Sequence, residues 1–287
     1  MEKRRLGRTG YLTSMITFGS FALLEASEKE AEATIRMVLE RGINHFDVSP
    51  IYGRAEEHIG TWIKRNGKDF YLGCKTHERT KEKAWESINK SLEKLNVDQF
   101  DLFQFHGVDH IKTLDILFGR DGAMDAVLKA MDQGLIKHIG ITGHVPHTQN
   151  EAFSRFDFDT VMFPLNRIHA ANITEWNDYR PLLETAKNRD AGVFAIKTIA
   201  KGNWDDPVPS HRYNTWYEPF DDQSDIEKSL WYALNQDITS AVSSGDMILL
   251  PRIIDAAENF RQLTEKEEHD ILRESEPYEP LRGPEMP

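Results

Sequence analysis

The 287-residue sequence predicts an α/β fold, a (β/α)8 TIM barrel with an N-terminal β-hairpin, on three observations. Short apolar runs alternate with stretches of helical periodicity almost throughout, a pattern that calls for a parallel sheet covered by helices. About eight such units can be counted, the number that closes a barrel. The length also suits a barrel, typically about 250 residues.

Taken in order, Arg4–Leu6 and Tyr11–Ser14 flank Gly7 and Gly10 and read as a hairpin under the barrel floor. Strands are then expected at Met15–Gly19, Ile43–Val48, Phe70–Cys74, Phe100–Phe105, Ile139–Thr142, Thr160–Phe163, Val193–Ile196 and Ile238–Val242. Between them lie helical stretches. In Glu28–Arg41, Ala31, Ile35, Val38 and Leu39 share one face and charges occupy the other. Lys83–Leu95 and Ile173–Ala186 repeat the arrangement, and Gly42 and Gly192 are placed as helix stops. Asn203–Asp222 is a long connection with two tryptophans, two tyrosines and three prolines, the kind of barrel loop that carries function. No linker divides the chain, so residues 1–287 are expected as one domain, with 277–287 an irregular, proline-rich tail.

Composition narrows the function classes. With 39% hydrophobic and 29% charged residues, disorder is excluded as the main state. A net charge of −12 without a basic stripe argues against nucleic acid as a partner. No 18-residue apolar run, signal-peptide core or basic amphipathic helix is present, so no membrane is expected and a cytoplasmic protein is. One cysteine, Cys74, permits no internal disulfide, and it reads as buried packing.

In a barrel, chemistry sits where strands end and loops begin. The strand ends carry Asp47 and Tyr52, then Lys75, then His106. Taken singly, such an aspartate is an ordinary cap, the lysine a solvated charge and the histidine a packing residue. Together on three successive strand ends, they would point into one mouth.

The wording around these residues is more specific. GINHFDVSPIYGRAEEHIG, with Asp47, Tyr52, Gly53, Glu56, Glu57 and Gly60, closely resembles the signature of the aldo-keto reductase superfamily. LGCKT (Lys75), SLEKLNVDQFDLFQFH (His106) and KHIGITGH (Gly140, Thr142) resemble the same family in the same order, from Arg5 to about Phe260. The resemblance implies an NAD(P)H-dependent oxidoreductase that reduces an aldehyde or ketone to an alcohol, or the reverse. Tyr52 would be the proton donor, Lys75 would lower the phenol's pKa, Asp47 would hold Lys75, and His106 would orient the carbonyl. A nicotinamide is implied because no side chain supplies a hydride.

No G-x-G-x-x-G follows a strand, so the cofactor is expected on late loops instead. Ser243, Ser244 and Gly245 read either as a plain loop or as a phosphate cradle, and the resemblance favours the cradle. It also places Asp255, Glu258 and Asn259 at the adenine and Gly19 and Ser20 at the nicotinamide ribose, the last two reading equally as a tight strand exit. Four departures accompany it. Thr142-Gly143 stands where Ser-Asn is usual, Met162 where a glutamine is expected, Lys197 where an aromatic ring stacks on the nicotinamide, and Asp246-Met247 where a basic residue often reads a 2′-phosphate. Asn166, Thr198 and Lys201 are candidate substitutes for the lost contacts, and Arg252 for the missing basic residue. These changes resemble a branch with Ile-Lys in place of Tyr-Ser-Pro. NADP(H) is expected first, with NAD(H) the alternative.

Two other readings stand beside this one. Eleven histidines, among them His77, His106, His110, His144 and His147 near strand ends, suggest a metal-dependent barrel hydrolase, although H-E-x-x-H is missing and no metal is expected. An intact barrel with a silent site would be a cofactor-binding regulatory subunit. The partner expected is a small carbonyl or alcohol, walled by Phe21, Ile51, Tyr52, His77, Trp204 and Trp216.

Overall fold

The computed structural model describes residues 1–205 and 211–282. Strand β1 (Lys3–Arg5) pairs antiparallel with β2 (Leu12–Ser14), Lys3 opposite Ser14. Then come β3 (Ile16–Gly19), β4 (His45–Asp47), β5 (Tyr71–Thr76), β6 (Phe100–Phe105), β7 (Ile136–Thr142), β8 (Thr160–Pro164) and β9 (Gly192–Ile196). A small ribbon, β10 (Ala200–Gly202) and β11 (Glu218–Pro219), precedes β12 (Ser240–Val242). Strands β3 to β9 and β12 form one closed barrel in which every pairing is parallel, with β12 between β9 and β3. The eight expected strands correspond to these eight, with ends shifted by up to three residues.

The hairpin closes the floor as expected. Leu6, fully buried, enters the barrel interior against Tyr71, Leu102, Met162, Phe194 and Val242. This close approach explains Gly192. It opens β9 at negative φ, where a Cβ would meet Leu6 Cδ1 at 2.3 Å, so the residue is not the helix stop the sequence suggested. The left-handed turn after that helix belongs to Asp190 (φ 50°). Gly42, by contrast, does stop its helix at φ 80°.

Helices α1 (Glu28–Glu40), α2 (Ala55–Asn66) and α3 (Lys81–Leu95) cover the first strands. A reciprocal cap fixes the start of α1, Ser27 accepting from the Glu30 N–H and Glu30 from the Ser27 N–H. Ala31, Ile35 and Val38 are buried from its inner face. Two signature glycines are steric. A Cβ at Gly60 would lie 1.9 Å from Lys94 O where α2 meets α3, and Gly53 (φ 52°) has Leu24 O at 2.4 Å. The helix expected at Ile173–Ala186 begins only at Arg180 and runs to Asn188. Asn177 holds the preceding turn instead, accepting from Thr174 N (2.7 Å) and donating to Asn172 O (3.1 Å), and Pro181 sits in the first turn of the helix that follows.

The tail is irregular from Pro277 to Arg282, but it is not loose. Leu281 is buried with Ala200 and Tyr217, and its carbonyl lies 3.1 Å from His169 Nε2. The rest of the expected tail, 283–287, lies outside the described residues, as do residues 206–210 of the aromatic loop. That loop is pinned by β10–β11 and by Trp204 Nε1 donating to Thr215 O at 2.7 Å. Among the described residues no helix is long and apolar enough to cross a membrane.

Candidate active site

A cavity of about 320 Å³ opens at the C-terminal ends of the barrel strands, and Asp47, Tyr52, Lys75 and His106 all line it. Asp47 ends β4 and Lys75 lies near the end of β5, the register pairing Asp47 with Gly73 and Lys75 with Gln104. Tyr52 follows on the loop between β4 and α2, and His106 comes directly after β6. The alternation of strand side chains sends Asp47 and Lys75 inward and the loop after β4 folds Tyr52 onto them, which brings one anion, one cation and one phenol to a point.

Lys75 is 1% exposed and donates to the Asp47 carboxylate and to Tyr52 Oη, the latter at 2.9 Å. Burial works against the Lys75 ammonium, yet Asp47 and Tyr52 together hold it above its ordinary value. The sequence suggested that Lys75 would bring the Tyr52 phenol below its usual range. Burial instead lifts it above that range, and Lys75 offsets only part of the rise. Tyr52 therefore keeps its proton at neutral pH.

His106 Nδ1 lies 3.0 Å from Ser49 Oγ, and its ring stands 3.9 Å from that of His77 and 5.7 Å, edge-on, from that of Tyr52. Burial, reinforced by Lys75 and its neighbours, holds His106 well below the ordinary imidazole value, so the ring is neutral at pH 7. His77 is lowered to about 4, also chiefly by burial.

The cofactor candidates divide into two sets. Gly19, Thr142, Lys197, Ser243, Ser244 and Gly245 line the cavity. Ser243 Oγ accepts from Gly19 N at 3.0 Å, and Gly245 is held against Phe21, whose Cδ1 would lie 2.4 Å from a Cβ there. Ser20 and Asn166 are buried beside this set, with Asn166 Oδ1 accepting from His169 N at 2.8 Å. Ser20 Oγ, Ser244 Oγ, Asn166 Nδ2 and Lys197 Nζ are buried with no hydrogen-bond partner. Buried polar atoms without a partner are rare in a finished core, and those of Ser20, Ser244 and Asn166 fit the polar groups of a nicotinamide nucleotide. The second set lies elsewhere. Lys201 pairs with Glu218 at 2.5 Å. Asp255 and Glu258 both hold Arg41, at 2.6 Å each, and Asn259 Nδ2 donates to Asp255 O at 2.9 Å.

Three of the four departures acquire physical reasons. Thr142 Oγ1 accepts from Gly107 N at 3.2 Å and so ties the loop after β6. At Gly143 a side chain has no room, because Gln149 Nε2 would lie 1.8 Å from a Cβ. Met162 belongs to the apolar interior above Leu6. Asp246 turns inward and accepts from the N–H groups of Asn214, Ile248 and Leu249 at 2.7–3.2 Å. Arg252 donates to Asp221 O and does not reach Asp246.

Two contributors and one structural residue went unnoticed in the sequence. Gln104 donates to Asp47 Oδ1 at 3.2 Å, and counting back two from His106 along the strand would have put it on the inner face. Ser49 reaches His106 from another strand end, which no local pattern announces. Asp101 in the same motif is a floor residue, bound by Lys68 (2.5 Å), Lys137 (2.9 Å) and the Leu72 N–H (3.0 Å). The expected wall residues Phe21, Ile51, His77 and Trp216 line the cavity, while Trp204 stacks on His211 at 4.4 Å and is not among its lining residues. Cys74 is fully buried, and burial pushes its thiol up. No three His, Cys, Asp or Glu side chains converge at metal-ligating distance among the described residues.

Comparison with known proteins shows the family and the fold. The family model of the Aldo/keto reductase family matches residues 15–270. The Bacillus subtilis protein YqkF, described as an uncharacterized oxidoreductase, is 26% identical, over 93% of this chain and 94% of its own. L-galactose dehydrogenase of Arabidopsis thaliana is 29% identical over 70% of this chain and 66% of its own. Among solved structures, the holo form of an aldo-keto reductase from Bacillus halodurans superposes with a TM-score of 0.73 over 96% of both chains, at 21% identity, a likeness of fold.

Proposed function

This chain belongs to the aldo/keto reductase family, and on that premise we propose that it reduces an aldehyde or ketone to the alcohol, or runs the reverse, with Tyr52 as the group that gives the proton. The observation that carries the reading is the 2.9 Å contact between Tyr52 Oη and the buried Lys75 ammonium, inside a cavity that admits a small molecule.

A carbonyl oxygen in this cavity would accept from Tyr52 Oη and from His106 Nε2. In this reading the Ser49 hydroxyl, 3.0 Å from Nδ1, is the donor, and the neutral ring then carries its hydrogen on Nε2. Tyr52 holds its proton until the oxygen gains negative charge, then transfers it. The phenolate left behind faces Lys75, and the ammonium stays in place because Asp47, itself steadied by Gln104, grips it from behind. None of these groups needs to move, so little reorganisation accompanies the transfer.

A nicotinamide supplies the hydride when bound. Ser20, Thr142, Asn166, Ser243, Ser244 and Gly245 are the residues we assign to holding it. Between the nucleotides we keep NADP(H) first, as the resemblance implies. Asp246 spends its carboxylate on three backbone N–H groups and so repels a 2′-phosphate less than an exposed aspartate would. Residues 1–287 act in this reading as one barrel unit.

The test is turnover of an activated aldehyde, 4-nitrobenzaldehyde, by the full chain with NADPH and NADH in parallel, followed by loss of dinucleotide absorbance. Substrate-dependent oxidation of either nucleotide is the expected result. Saturable nucleotide binding without oxidation, across aldehydes and ketones, would make the protein a silent binding subunit.

A further inference from the structure

Lys197 is a buried cation that the proton-transfer machinery does not use. It follows β9, is 8% exposed, and its Nζ has no hydrogen-bond acceptor. Its backbone is left-handed (φ 59°), a conformation that costs a non-glycine residue energy and that the surrounding structure must enforce. The side chain faces the same cavity as Tyr52 and His106.

What surrounds the ammonium shows which part of that cavity it serves. The face of Trp216 lies over Nζ at 4.2 Å, and the same indole stands edge-on to His144 at 6.2 Å. Asp109, the nearest countercharge, is spent on His144, accepting from its backbone N–H and lying 3.0 Å from its Nδ1, and it forms no ion pair with Lys197. These neighbours come from the loops after β6 and β7 and from the aromatic connection. They do not come from the β3 and β12 ends, where the serine cradle lies. Trp216 is 42% exposed, so it covers the ammonium from the solvent side of the mouth. The protein as a whole carries −12. A chain this acidic that keeps an unpaired lysine at its cavity has built a local anion site.

We propose that Lys197, roofed by Trp216, is a specificity site for an anionic end, a carboxylate or a phosphate, of the carbonyl substrate. The proposal rests on the reductase reading and names its substrate class, aldehydes or ketones that carry a negative charge away from the reacting carbon. Burial without an acceptor holds the Lys197 amine well below its ordinary value, and an anion beside it would favour the ammonium again. An anion arriving there would form a charge-assisted hydrogen bond in a site screened from water.

The experiment compares matched substrates with the full chain and its preferred nucleotide. 4-Carboxybenzaldehyde is set against its neutral methyl ester, and glyceraldehyde 3-phosphate against glyceraldehyde. In the wild type, kcat/KM is expected to favour the charged member of at least one pair by tenfold or more, and the pair that responds identifies carboxylate or phosphate. Lys197→Met is expected to collapse that ratio at least tenfold and Lys197→Arg to restore most of it. Calorimetric titration with 4-carboxybenzaldehyde and with glyceraldehyde 3-phosphate, without nucleotide, is a readout independent of turnover. Loss of anion binding in Lys197→Met supports the site even if no aldehyde is reduced, an outcome that would fell the reductase reading alone. The proposal is overturned if neutral and charged members react equally well. It is overturned too if Lys197→Met lowers both members in the same ratio while weakening nucleotide binding, which would place Lys197 at the cofactor.

Discussion

Replacing Lys75 by methionine removes the cation beside Tyr52 and keeps most of the side-chain volume. The size of the effect follows from the contact. Unit charges 2.9 Å apart attract by roughly 6 kcal/mol at an effective dielectric constant of about 20. With the proton about half transferred in the transition state, about half of that is felt, roughly 3 kcal/mol, or about a hundredfold in kcat. The change also leaves the Asp47 carboxylate, 2% exposed, with Gln104 as its remaining side-chain partner. Breaking a buried pair from one side costs about 3–5 kcal/mol of stability, so the melting temperature must be measured alongside. The assay is steady-state reduction at saturating nucleotide, at a temperature where circular dichroism shows the variant folded. Lys75→Arg, which keeps the charge but not the geometry, should lie between the two. A folded Lys75→Met variant within threefold of wild-type kcat would refute the claim that this ammonium stabilises the phenolate.

Three further expectations follow from other contacts. Ser49→Ala should lower kcat/KM by about two- to twelvefold, the worth of one hydrogen bond of about 0.5–1.5 kcal/mol, by freeing the His106 ring to turn; an unchanged value would remove Ser49 as a positioning residue. Gly60→Ala should cost about 1–3 kcal/mol or more, because its methyl group meets a backbone carbonyl that cannot swing aside; a melting temperature equal to wild type would contradict the packing described. His45 is fully buried against Tyr71 and Phe194, and burial, outweighing the nearby Asp101, lowers it to about 3. The unfolded chain therefore takes up this proton first, so stability that is full above about pH 6.5 is lost as the pH falls toward 3. His45→Gln should flatten part of that fall in melting temperature, and an identical pH slope would show that His45 does not contribute.

Much of this was legible in the sequence because barrel strands are short apolar runs whose positions are set by burial. Phe100–Phe105 matched to the residue, and Ile139–Thr142 missed only the half-exposed start of β7, where Lys137 and His138 interrupt the apolar run. Helix ends set by long-range contacts were harder to read. Gly192 resembles a stop signal in one dimension and is a steric necessity in three, because Leu6 comes from 186 residues earlier in the chain. The same distinction holds at the mouth. Asp47, Tyr52, Lys75 and His106 could be listed because strand ends are visible in sequence. Ser49 and Gln104 escaped because their partners lie on other strands. Even the direction of the Tyr52 shift depended on burial, which no motif encodes. Asp246, suspected of repelling a phosphate, turned out to be folded into the backbone of its own loop.

Central to the account is a protonated phenol that hands its hydrogen to a carbonyl oxygen. Tyr52→Phe tests this most directly, since the ring still packs on Phe21 and His106 while the hydroxyl alone is lost. Reduction of 4-nitrobenzaldehyde should fall by about a hundredfold to ten-thousandfold, with the variant's nucleotide affinity measured in the same preparation. Retention of wild-type kcat by folded, nucleotide-saturated Tyr52→Phe would mean that the proton comes from somewhere else.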